Sequence, residues 1–135
     1  MKGIILAVGL LIVATTVLAA TAQRDWIGTY QTKQTQLMSP AKSDNYLTIT
    51  RMSGGGVRFA FESASATCVG EADFRTAKVP NGNDIMLSTY DDSGGVCVMR
   101  VHREGNIIVT AEDGCDGLHG GDCTFSGTYK PEKRR

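Results

Sequence analysis

The sequence predicts an all-β fold: a single small antiparallel β-barrel of about eight strands, disulfide-stapled, after a cleaved signal peptide. Three observations carry this expectation. Short runs of alternating apolar and polar residues recur roughly every ten residues, separated by glycine, asparagine and aspartate, with no long stretch of helical periodicity. Four cysteines, Cys68, Cys97, Cys115 and Cys123, occur singly, with no C-x-x-C pair. An N-terminal apolar run ends in small residues, as a secretory signal does.

Residues 1–22 carry the three parts of such a signal: Lys2 at the positive end, an apolar core from Ile4 to Ala20, and the A-x-A site Ala20-Thr21-Ala22. Cleavage there leaves Gln23 first; cleavage after Ala20 is the close alternative, and either leaves about 113 to 115 residues. The competing reading is a retained anchor, because a run of about 17 apolar residues lies at the lower edge of a bilayer-spanning helix. Thr15 and Thr16 weaken that run, and no cysteine follows it to take a lipid. A periplasmic or secreted location without a stable membrane anchor is expected.

The first strand is expected over Trp26 to Thr32, then a mostly polar loop from Lys33 to Asn45, long for a hairpin. The second strand is Tyr46 to Met52. Ser53-Gly54-Gly55-Gly56 breaks the chain before Val57 to Ser63, where Val57, Phe59 and Phe61 share one face. The fourth strand spans Ala66 to Thr76, and Pro80-Asn81-Gly82-Asn83 turns the chain into Asp84 to Tyr90. After Asp91-Asp92-Ser93-Gly94-Gly95 comes Val96 to Arg103, with Val96, Val98, Arg100 and His102 on one face and Cys97, Met99, Val101 and Arg103 on the other. Glu104-Gly105-Asn106 leads into Ile107 to Glu112, a glycine-rich connector covers Asp113 to Asp122, and the last strand is Thr124 to Lys130. A meander that closes on itself removes exposed strand edges, which favours a barrel over residues 23–130; a two-sheet sandwich is the alternative. Residues 131–135 read as a disordered, solvated C-terminal tail.

Removing Lys2 from the fourteen Lys and Arg leaves thirteen, against fourteen Asp and Glu. Such a near-neutral chain lacks the concentrated basic face that nucleic acid requires. In an oxidising compartment four lone cysteines form two disulfides sooner than a metal site, and three connectivities are open.

The segments Trp26-Ile27-Gly28-Thr29-Tyr30, Leu47-Thr48-Ile49, Cys68-Val69-Gly70-Glu71-Ala72, Cys97-Val98-Met99-Arg100-Val101 and Cys115 through Tyr129 resemble small exported bacterial barrel domains of the lysozyme-inhibitor-like or lipocalin-like kind. The resemblance spans nearly all of the mature chain and implies fold more than function. It also implies pairing of Cys97 with Cys115, hence Cys68 with Cys123; Cys115–Cys123 with Cys68–Cys97 is the alternative. Lipocalins place a glycine two residues before the first-strand tryptophan, whereas Gly28 follows Trp26. Ser126-Gly127-Thr128-Tyr129-Lys130 holds the Ser-Gly, Tyr and Lys of periplasmic lysozyme inhibitors, but within a strand instead of a loop.

Trp26, Tyr30, Phe59, Phe61, Phe74 and Phe125 are expected in the core. The acids of the turns and connector lack the spacing of a calcium loop. His102 and His119, the two histidines, have no nearby sequence partner of the kind that metalloproteases use, and His119 is placed to fix its glycine-rich loop by a local hydrogen bond. No catalytic residue, metal or cofactor is expected. The expected partner-binding residues are Asp113, Asp116, His119, Asp122, Ser126 and Tyr129. The expected partner is a protein, a lysozyme-type glycosidase or a toxin, because acidic loop residues complement a basic enzyme. The alternative is a small apolar ligand carried in an open lumen lined by Val57, Phe59 and Phe61.

Overall fold

A computed structural model describes residues 26–35, 42–64, 69–121 and 123–133. The signal peptide expected over residues 1–22, together with Cys68 and Asp122, lies outside them. The elements are β1 (Gly28–Thr35), β2 (Lys42–Arg51), β3 (Val57–Ala64), β4 (Val69–Thr76), β5 (Asp84–Tyr90), β6 (Val96–Glu104), β7 (Ile107–Asp113), a single helical turn α1 (Asp116–His119) and β8 (Gly127–Pro131). All ladders are antiparallel, and the spatial order is β4-β3-β2-β1-β8-β7-β6-β5. The strands at the two ends of that order, β4 and β5, lie side by side without a ladder, so the barrel is nearly closed.

Alternation builds this barrel. Leu47 and Ile49 on β2, Val57, Phe59 and Phe61 on β3, and Cys97, Met99 and Val101 on β6 all point inward and are buried, because successive strand residues face opposite sides. Rings fill the interior: Phe61 lies 5.7 Å from Phe74, 5.8 Å from Phe125 and 5.9 Å from Tyr129, centre to centre. Val57, Phe59 and Phe61, the expected lining of an open lumen, have no exposed surface.

The register puts the β2–β3, β4–β5 and β6–β7 turns at one end. Trp26 closes that end: its ring meets Phe59 edge-on at 6.0 Å, the Arg103 guanidinium lies 5.4 Å from its centre, and the Tyr30 hydroxyl donates to its carbonyl at 3.2 Å.

Several boundaries differ from the sequence expectation. Of the loop expected over Lys33 to Asn45, residues 33–35 and 42–45 are strand, with β1 pairing residue by residue from Gly28↔Ile49 to Thr35↔Lys42. Polar composition misleads there, since a ladder needs only backbone groups. Trp26 precedes β1 in a turn. The last strand starts at Gly127, after the Ser126 amide has donated to Thr124 Oγ1 and the Phe125 amide to Glu112. It runs through Pro131, and the Glu132 amide donates to the Thr29 carbonyl at 2.9 Å. The last strand therefore ends one residue beyond the expected Lys130.

Candidate functional site

The opposite end of the barrel is capped by the connector between β7 and β8. The cap begins at Gly114, whose φ of 70° and approach to the Val96 carbonyl suit a residue without a side chain; a Cβ there would lie 2.6 Å from that oxygen. Cys115 follows and is disulfide-bonded to Cys97 on β6, which fixes the start of the cap to the barrel wall. This pairing matches the one the resemblance implies and removes the alternative. Cys123 is also disulfide-bonded.

Between the two cysteines, α1 makes one helical turn. The Leu118 amide donates to the Cys115 carbonyl at 2.9 Å, and the Gly120 amide to the Asp116 carbonyl at 2.8 Å. The turn lies across the starts and ends of other strands. On one side it presses on β4, where a Cβ at Gly70 would come within 2.7 Å of His119 Cα and 2.8 Å of the Leu118 carbonyl oxygen. On the other, Gly117 abuts the Asp91 carboxylate just past β5. The cap thus bridges the two strands that the barrel leaves unpaired.

A buried polar cluster holds the cap from beneath. His119 Nε2 lies 2.8 Å from Glu112 Oε1, its Nδ1 meets the Gly120 carbonyl, and its ring packs edge-on against Phe125 at 4.8 Å. The other carboxylate oxygen of Glu112 accepts from the Phe125 amide at 2.7 Å. Burial alone would push the Glu112 pKa up and the His119 pKa down. The pair's mutual hydrogen bond and charge, with the Phe125 amide on Glu112 and the Gly120 carbonyl and Asp116 on His119, reverse both directions, so Glu112 titrates below and His119 above its ordinary range. Between pH 4.5 and 6.5 the Glu112–His119 pair under the cap is therefore charged at both ends.

Further bonds join cap and wall. Asn45, fully buried, donates to the Thr124 carbonyl at 2.6 Å and accepts from Ser63 Oγ at 2.8 Å. Thr110 Oγ1 and the Tyr129 hydroxyl both donate to the Phe125 carbonyl, at 2.7 and 2.9 Å. Asp91 ties the adjacent turn, accepting from the Ser93 hydroxyl and from the Ser93 and Gly95 amides; these bonds hold its carboxyl below the usual range.

The residues expected to bind a partner separate into two groups. Asp113 and Asp116 are exposed on the cap and its approach, with exposed Asp92 in the turn beside Asp91. Tyr129 and His119 are buried, and Ser126 is half-buried with Oγ accepting from the Glu112 amide at 2.9 Å. Burial raises the Tyr129 pKa and seals its hydroxyl inside, where it supports the cap. Asp122 lies outside the described residues. Glu112, Gly70 and Asp91 were missed as structural supports. Glu112 had a signal, because alternation from Ile108 and Thr110 turns it inward, where a carboxylate must find a partner.

Each histidine ring is held by carboxylate or carbonyl oxygen: His119 as above, and half-buried His102 by Asp84 at 2.7 Å and Glu104 at 3.5 Å. Among the described residues no three His, Cys, Asp or Glu side chains converge as metal ligands, and no helix is long and apolar enough to cross a membrane. No family model matches the chain, and no curated protein or solved structure matches it either.

Proposed function

We propose that this protein is an exported binding module that holds a protein partner with its capped end, and that the partner is a basic, lysozyme-type glycosidase whose cleft the cap obstructs. The observation that carries this reading is the rigidity of an exposed acidic element. Asp116 opens a turn pinned by the Cys97–Cys115 disulfide, by the Glu112–His119 pair and by contact with β4. A surface ordered before contact loses little conformational freedom on binding. Asp92, Asp113 and Asp116 supply negative charge there, complementary to a basic enzyme. The filled interior favours this reading over a lumen carrier.

The test is inhibition and direct binding against a panel of basic glycosidases that cleave bacterial wall polysaccharide. Inhibition is expected, weaker at high salt and weakened roughly tenfold by Asp116→Lys, the scale of one reversed charge at an interface. Absence of binding to every member of the panel would overturn the glycosidase assignment. An immunity role against a toxin uses the same surface and would show as capture of a different basic enzyme.

A further inference from the structure

The outside of the barrel has two unlike halves. On β3 and β4 the outward positions carry paired charge, with Arg58 bonded to Asp73 at 2.6 Å and Glu62 and Glu71 exposed nearby. On β5, β6 and β7 the outward positions include a group of apolar residues, Met86, Tyr90, Val96, Val98, Val109 and Ala111. Three of the four large apolar side chains exposed among the described residues lie here, Met86 at 67%, Tyr90 at 74% and Val96 at 48%. A groove of about 340 Å³ runs over this face beside Met86, Arg100, Val109 and Ala111. Single apolar side chains on an outward strand face are ordinary, but a contiguous group of them on one face marks a contact surface.

Charge on this face says what covers it. Among the described residues, the exposed side chains of Arg100 and Asp113 on this face make no hydrogen bond or ion pair, whereas Asp84 and His102 satisfy each other at 2.7 Å. The β6–β7 register sets Arg100 opposite Ala111 and Val98 opposite Asp113, so the two ions occupy diagonal corners of one four-residue patch. Turned about a line in the contact plane that bisects the two ions, the face meets itself. Arg100 then stands opposite the second copy's Asp113, and the reverse, while Val98 and Ala111 fall close to the line. This is the condition for a closed isologous contact, in which one patch serves both partners.

We propose that the β5–β7 face is the interface of a two-fold homodimer, sealed by apolar contact around Val98 and Ala111 and keyed by two reciprocal Arg100–Asp113 ion pairs. The surface is a strand face that meets the approach to the cap at Asp113, and the dimer does not depend on the identity of any other partner.

Sedimentation velocity over a concentration series tests it, on oxidised protein produced from the full chain with no glycosidase present. The expected result is a dimer for the unaltered protein. Arg100→Asp and Asp113→Arg each set like charges opposite one another and raise the dimer dissociation constant roughly tenfold or more, and the double reversal restores the attraction and recovers the dimer. Met86→Glu, which charges the apolar part of the face and leaves both ions intact, also gives monomer. Near-UV circular dichroism reports whether each variant keeps its fold, as substitution at these exposed positions predicts. A protein monomeric up to roughly 100 µM, weaker than specific interfaces of ordinary size, overturns the proposal. So does a dimer indifferent to the single reversals, or a double reversal no better than either single one.

Discussion

Glu112 and His119 show how one inward-facing carboxylate organises a loop. Their shifted protonation is one interaction seen from both ends, so its contribution is counted once. The Glu112 pKa is lowered from 4.5, so its part of the stabilisation is present above that value and is lost as pH falls through the lowered folded pKa. The His119 pKa is raised from 6.5, so its part is complete below that value and is lost as pH rises through the raised folded pKa. The pair thus contributes most between 4.5 and 6.5. Urea unfolding across pH should show greatest stability in that window. Glu112→Gln should lower stability there by about 2 kcal/mol, the scale of losing a charged partner to a buried group, and should flatten the pH dependence. An unchanged profile in this variant would assign the pH response to other groups.

At the scale of elements, most strands were legible because alternation is strict where one face is buried. β5 was placed at Asp84 to Tyr90 and β3 from Val57, as observed, and period two alone grouped Cys97, Met99 and Val101 on one face, which the structure turns inward. The extended β1–β2 hairpin was not legible, because Lys33 to Asn45 offers polar side chains and its pairing is a backbone property. The cap was legible only as a glycine-rich connector. What makes it a cap is its contact with Gly70, far away in sequence, and a glycine within a strand announces a close approach without naming the visitor. Gly70→Ala should force α1 off β4, since the obstruction includes backbone atoms of Leu118 and His119 that cannot rotate aside. A loss of about 2 kcal/mol, as for overpacking a core, is expected, with faster amide exchange in residues 116–120 than in β6. Replacing Cys97 and Cys115 together by alanine opens a closure of 18 residues and should cost about 3 kcal/mol in the loop-entropy account, measured by urea midpoint against the oxidised parent.

Across the whole molecule, aromatic packing joins the two halves of the strand order into one unit. Phe61 on β3 touches Phe74 on β4 on its own side, and Phe125 and Tyr129, before and within β8, on the other. Because these rings occupy the space a carrier would leave for its cargo, the intact protein should take up no small apolar molecule inside. Phe61→Ala reverses that condition. The substitution removes a fully buried ring and should cost about 3 to 4 kcal/mol, combining lost transfer energy with the cavity left behind. The new space would be walled by Phe74, Phe125 and Tyr129, and apolar cavities of this kind stay dry and accept benzene-sized guests. NMR titration with benzene should therefore shift core methyl resonances in Phe61→Ala and leave the parent unchanged. Uptake by the parent, saturable and displaced by longer apolar chains, would mean that the rings part to admit a ligand and would restore the carrier function.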